Sequence, residues 1–143
     1  MNEKFSEYTY NDIEIGLSKE FQVEITESLV NDFAKISGDF SPIHMDDSYA
    51  KSTTFKKRVV HGMLLASFLS RMDGMFLPGK HALYFSQSVE FRNPCFIGDV
   101  VTISSKVIDK SDSTKIIKIE SEITNQENKL LVYGSGRVIV RND

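Results

Sequence analysis

Apolar residues recur along the chain with two different periods, and the switches between them mark out its elements. After a polar lead-in over residues 1–18 that includes Gly16, Lys19–Ile25 alternates, with Phe21, Val23 and Ile25 in phase. A period of two puts those side chains on one face of a short strand. From Thr26 the spacing changes: Leu29, Val30, Phe33 and Ile36 recur at helical intervals. Thr26 suits a helix N-cap, Glu27 adds a carboxylate to the first turn, and Gly38 ends the run. One or two further helical turns are predicted at Asp46–Lys51, and Thr53–Lys57 is polar enough to be exposed. Val59–Met72 is the most apolar stretch of the chain. It is rich in the strong helix formers Leu, Met and Ala, and a helix apolar on nearly every side is expected to be buried.

Beyond it the period of two returns. Phe76–Lys80 reads as a turn and Ala82–Phe91 as a strand, with Leu83, Phe85, Val89 and Phe91 facing inward until Arg92-Asn93-Pro94 ends it. Val101, Ile103, Ser105 and Val107 alternate in the next strand, then Ile117, Ile119, Ser121 and Ile123. Val132, Gly134, Gly136 and Val138 are in phase in the last, Leu130–Val140. Asp109–Ser113 and Asn125–Asn128 are the polar turns between them. Four successive strands predict an antiparallel meander, and the N-terminal strand brings the sheet to about five. A sheet with one apolar face must cover it, and the apolar helix is the element available. The predicted class is therefore α+β: an antiparallel sheet wrapped around a central helix, the hot-dog architecture, as one domain over residues 1–143. Open edge strands would remain on a monomer, so a homodimer paired edge to edge is expected.

Charge and cysteine content narrow the partners. The net charge is −3 and the basic residues are scattered apart from Lys56-Lys57-Arg58, which argues against nucleic acid as a partner. Cys95 is the only cysteine, so no disulfide forms within the chain and a reducing compartment suits it. Met1–Glu7 is polar and lacks the apolar core of a signal peptide, and no apolar run approaches the roughly 18 residues of a membrane span. A cytoplasmic protein with no membrane partner is expected.

Residues 36–50 carry the most chemistry. Asp39 and His44 lie five residues apart, and Gly38 and Pro42 prevent the segment from forming one regular helix. Their neighbours Ile36, Phe40, Ile43 and Met45 are apolar, which implies burial of both groups. On one reading Asp39 tightens the Gly38 turn and His44 is a hydrogen-bonded core histidine. On the other, a carboxylate and an imidazole held in an apolar loop move protons near neutral pH. Val60-His61-Gly62-Met63 opens the apolar helix. Its first N–H groups lack helical partners, and Gly62 leaves room for a carbonyl oxygen that gains negative charge; close packing alone would also use a glycine. His61 reads as a polar group near the cap. Ser67 and Ser70 by default bond back to a carbonyl one turn earlier, although a serine of this helix is also able to reach the Asp39 carboxylate. Arg92 and Lys56–Arg58 read as solvated or as phosphate-facing, Cys95 as packing and His81 as exposed. No Cys/His cluster has metal-ligand spacing, so no metal is predicted.

The segment Phe33–His44, FAKISGDFSPIH, resembles the hydratase motif of the MaoC-like family, whose best-known members are (R)-specific enoyl-CoA hydratases. Val60–Ser67, Leu77-Pro78-Gly79, Gln87–Phe91 and Pro94–Asp99 extend the resemblance, which runs from about Lys19 to Val140 and is closest to short bacterial hydratases linked to polyhydroxyalkanoate supply. It implies a hot-dog dimer without a cofactor that adds water reversibly, in syn fashion, to a trans-2-enoyl-CoA thioester to give an (R)-3-hydroxyacyl-CoA. By the same resemblance Asp39 and His44 are the catalytic pair, the Gly62 N–H is the oxyanion donor, and Ser70 supports the aspartate. One position departs from the motif: Ser41 stands where the family has asparagine before the proline, and its shorter side chain must support the loop or its water instead. Two alternatives stay close to this expectation, a hydratase or dehydratase acting on acyl carrier protein thioesters and a hot-dog acyl-CoA thioesterase. The thioesterase needs an acidic base on the central helix, where Asp73 comes late. A third is an acyl-binding module without turnover.

Overall fold

The computed structural model describes residues 4–143; the first three residues of the polar lead-in lie outside the described residues. Strand β1 is Ser18–Glu24, followed by helix α1 (Glu27–Ser37), a single helical turn α2 (Pro42–Met45), α3 (Asp47–Ser52) and α4 (Gly62–Arg71). Strands β2 (Ala82–Phe91), β3 (Val100–Lys110), β4 (Ile116–Thr124) and β5 (Leu130–Val140) complete the chain. All five strands form one antiparallel sheet in the order β1-β3-β4-β5-β2. This is the α+β hot-dog arrangement, with the sheet curved around α4. Its core joins Leu64, Leu65 and Leu69 of α4 to the inward residues of β3, β4 and β5, Val101, Ile103, Ile117, Ile119, Ile123, Val132 and Val138 among them. No helix among the described residues is long and apolar enough to cross a membrane.

The local signals account for most element ends. The Thr26 side chain accepts from the Leu29 N–H at 3.1 Å and starts α1. Gly38, at a φ of 78°, ends it with its N–H on the Ala34 carbonyl; that left-handed conformation favours glycine. Pro42 occupies the first position of α2, where its missing N–H costs nothing, so the segment that does not form one regular helix still contains a single helical turn. The Asp46 side chain caps α3 through the Tyr49 N–H.

Four expectations need correction. The meander has three strands, β3, β4 and β5, because β2 crosses to the far edge and pairs with β5. In β2, Leu83 and Phe85 are 51% and 60% exposed rather than inward. A bulge between Tyr84 and Ser86 exchanges the faces: Ala82 and Tyr84 lie opposite buried Val140 and Val138, while beyond the bulge Gln87, Val89 and Phe91 lie opposite Gly136, Gly134 and Val132, with Val89 half-buried and Phe91 still 52% exposed beside Gly62. Helix α4 is buried on one side only, since Met63, Ser67 and Ser70 are exposed. On α1 the core face runs through Val30 and Ala34, and Ile36 is 86% exposed.

Candidate active site

The turn after α1 and the start of α4 bring the singled-out residues to one cavity of about 420 Å³, walled by Asp39, His44, His61, Gly62, Phe91 and others. Asp39 sits just past the Gly38 cap. Its Oδ1 accepts the Ser41 N–H at 3.1 Å, which tightens the turn and aims the second oxygen away. His44 lies on α2, and its Nδ1 is 2.6 Å from the Val59 carbonyl oxygen. A carbonyl only accepts, so Nδ1 carries the proton and Nε2 of the neutral ring keeps a lone pair. That Nε2 is 3.8 Å from Asp39 Oδ2. The gap is too long for a direct hydrogen bond, yet both atoms can bond one water at about 2.8 Å. His44 is half-buried, but the Asp39 side chain is 49% exposed, so the burial expected of both holds for the imidazole alone.

Gly62 is the first residue of α4, so its N–H has no partner within the helix. A Cβ there would lie 2.7 Å from the Phe91 ring, so the absence of a side chain lets Phe91 close over the helix start. The partial positive end of α4 faces the same cavity.

Arg58 belongs to a run expected to be solvated or phosphate-facing, and it is instead 6% exposed. Its Nε donates to the His44 carbonyl, and its guanidinium also reaches Glu27 Oε1 at 3.0 Å and Asn31 Oδ1 at 3.1 Å. One buried side chain thereby ties α2 to α1. Lys57 is exposed, with Nζ 4.4 Å above the Phe96 ring. His61 was expected only to cap, and its side chain makes no cap; it is buried and stacks on His44 with ring centroids 4.0 Å apart. The signal for these two was faint: a basic residue between a polar run and an apolar one, and a polar residue inside the apolar run.

The remaining candidates fall elsewhere. Ser70 lies on the exposed face of α4 in a neighbouring groove with Phe33, Met63 and Tyr84. Among the described residues the bonds to the Asp39 carboxylate come from the loop rather than from Ser70. Ser67 bonds back to the Leu64 carbonyl at 2.6 Å. Ser41 supports the loop through its backbone: its N–H serves Asp39 and its carbonyl accepts from His44. Arg92 lines the cavity and pairs with Glu90 at 2.6 Å. Cys95 is buried, and burial pushes its thiol up to about 12, out of the nucleophile range. His81 is half-buried rather than exposed. Ligand atoms of Asp39, His44 and His61 lie within 4.8 Å of one another; hydrogen bonds occupy His44 Nδ1 and His61 Nε2, which leaves His44 Nε2 and His61 Nδ1 as the ring nitrogens with a free lone pair.

In deprotonated form, Asp39 and His44 both present acceptors to the gap between them. A water placed there could donate one O–H to each, beside a cavity that Gly62 also lines. The chain is 36% identical over 126 residues to an (R)-specific enoyl-CoA hydratase of Aeromonas caviae, covering 88% of this chain and 94% of that one. It is 37% identical over 131 residues to an (R)-specific enoyl-CoA hydratase of Rhodospirillum rubrum, covering 92% and 90%. The unliganded R-hydratase PhaJ1 of Pseudomonas aeruginosa superposes with a TM-score of 0.92 at 29% identity, over 97% of this chain and 89% of that one. With residues 10–129 matching the MaoC like domain, the chain belongs to the MaoC-like family.

Proposed function

We infer that the chain is an (R)-specific enoyl-CoA hydratase, a hydro-lyase acting on trans-2-enoyl-CoA thioesters. The observation that carries this reading is the 3.8 Å gap between Asp39 Oδ2 and His44 Nε2 on the cavity that Gly62 also walls. The thioester withdraws electrons from the alkene, so attack at C3 drives negative charge onto the thioester oxygen. The Gly62 N–H at the helix start stabilises that charge. Water bonded to both acceptors loses one proton to the pair as its oxygen forms the C3–O bond. The pair returns that proton to C2, and the other water hydrogen remains on the new hydroxyl. Water and returned proton both arrive from the side of the pair, which makes the addition syn. Asp39 and His44 are thus the catalytic residues, Gly62 the oxyanion donor and Ser41 a loop support.

Crotonyl-CoA tests the reading directly. Hydration removes the conjugated thioester absorbance without releasing thiol, and the product is (R)-3-hydroxybutyryl-CoA on chiral analysis. Free CoA at a matching rate would instead make the protein a thioesterase. For that reaction Asp73, buried in the turn after α4, is the acidic candidate, and it does not line the cavity.

We also propose that the working form is a homodimer. The edge strand β2 exposes Leu83 and Phe85, and Met63, Phe40 and Ile36 are exposed around the loop and α4. A second copy would cover such a surface and dry the site. Light scattering on the eluting protein is expected to give about twice the 16.2 kDa chain mass; a monomer at micromolar concentration would refute the dimer.

A further inference from the structure

His61 is 2% exposed and touches three parts of the site at once. Its Nε2 lies 2.9 Å from the main-chain carbonyl oxygen of Asp39. Its ring stacks on His44 at 4.0 Å and 27°, and meets Phe33 edge-on at 5.0 Å. It directly precedes Gly62, whose N–H is the oxyanion donor. Because a carbonyl only accepts, Nε2 carries the proton and Nδ1 holds a bare lone pair. Nδ1 is buried with no hydrogen-bond partner. An orphaned buried nitrogen is a cost that a phenylalanine at this position would avoid. Packing alone therefore does not explain a histidine here.

The surroundings favour the neutral ring. Burial lowers the His61 pKa most strongly, and His44 and Arg58 add to the effect; the Asp39 carbonyl and carboxylate oppose it. A proton on Nδ1 would have no acceptor and would set a cation face to face with the His44 ring of the proposed pair.

We propose that His61 is a positioning residue for the hydration: as a neutral imidazole protonated on Nε2, it holds the Asp39 main chain and the His44 ring in register with the Gly62 amide. The proposal rests on the hydratase reading of the site. Misplacement of reacting groups by about 1 Å costs up to 10²-fold in rate, which sets the scale of the test. His61→Phe keeps a ring to stack and removes the donor, whereas His61→Gln restores an N–H donor at similar reach. With crotonyl-CoA, His61→Phe is expected to lose roughly 10- to 100-fold in kcat with KM changed less than about threefold, and His61→Gln to recover most of the loss. Wild-type kcat in a folded His61→Phe protein, or equal losses in the two variants, overturns the proposal. Nitrogen NMR of the wild-type imidazoles needs no substrate and judges the proposal even if crotonyl-CoA is not turned over or a variant does not fold. An Nε2–H tautomer with a titration midpoint below that of an ordinary histidine supports it, and an Nδ1–H tautomer or a midpoint at or above the ordinary one defeats it.

Discussion

Asp39→Asn and His44→Ala are each expected to lower kcat for crotonyl-CoA hydration by roughly 10²-fold or more, with the fold intact. The magnitude follows from the proposed mechanism, in which both side chains accept from one shared water, one relaying a proton from oxygen to C2 and the other holding the hydrogen that stays behind. Asparagine keeps the size of Asp39 and can still accept the Ser41 N–H, but it has no charge with which to draw the water proton. Alanine at 44 removes the Nε2 acceptor and frees the Val59 carbonyl, so some loss of stability accompanies the loss of rate. The pair acts as a unit, so the double variant should be little slower than the worse single one. Additive losses would mean that the two groups serve separate steps. Near-wild-type kcat in either folded single variant would remove that residue from the chemistry.

The site was legible in outline because its parts lie close in sequence. Gly38 and Pro42 shape the turn locally, and the caps at Thr26 and Asp46 are read from single residues. Asp39 and His44 therefore meet through local geometry, while Arg58, His61, Gly62 and Phe91 arrive from further along the chain. The inward sets of β3, β4 and β5 followed from strict alternation, since those strands are covered on one face. Strand β2 was misread because its bulge at Phe85 exchanges the two faces halfway along, and nothing in a period-two pattern announces an extra residue. The strand order also lay outside the pattern. Alternation identifies strands but not neighbours, and the segment from Arg92 to Asp99 carries the chain from the edge strand β2 past β5 and β4 to β3. Arg58 was hidden for a different reason. It ends a basic run whose first two members are exposed, and only contacts with Glu27, Asn31 and His44 make its burial tolerable. Long-range polar partners of this kind leave no periodic trace.

Asp73 makes stability depend on pH in a direction opposite to that of an ordinary paired carboxylate. It sits 4% exposed in the turn Met72–Phe76 that follows α4, where its carbonyl accepts the Gly79 N–H. Burial raises its carboxyl from 3.8 to about 7, against a smaller opposing effect of the Tyr84 hydroxyl. The folded pKa lies above the unfolded one, so the protonated form favours the fold. The associated stability is fully present below about pH 4 and is lost as pH rises through about 7. A difference of this size corresponds to about 4 kcal/mol at most. Asp73→Asn is uncharged throughout, so it isolates this group from every other that titrates. In urea melts the variant is expected to match the wild type to within about 1 kcal/mol at pH 4.5, allowing for its altered hydrogen bonds. At pH 8 it should exceed the wild type by a few kcal/mol. A constant difference across that range would show that Asp73 does not titrate within it, and a variant less stable at pH 8 than at pH 4.5 relative to wild type would show that the buried carboxylate is favoured. The same turn ends the helix whose other end carries Gly62. Loss of the Asp73 proton should therefore loosen α4 from its C-terminal end, and protection factors in Phe68–Phe76, corrected for the intrinsic base catalysis of exchange, should fall as pH rises towards about 7 in the wild type and not in the variant.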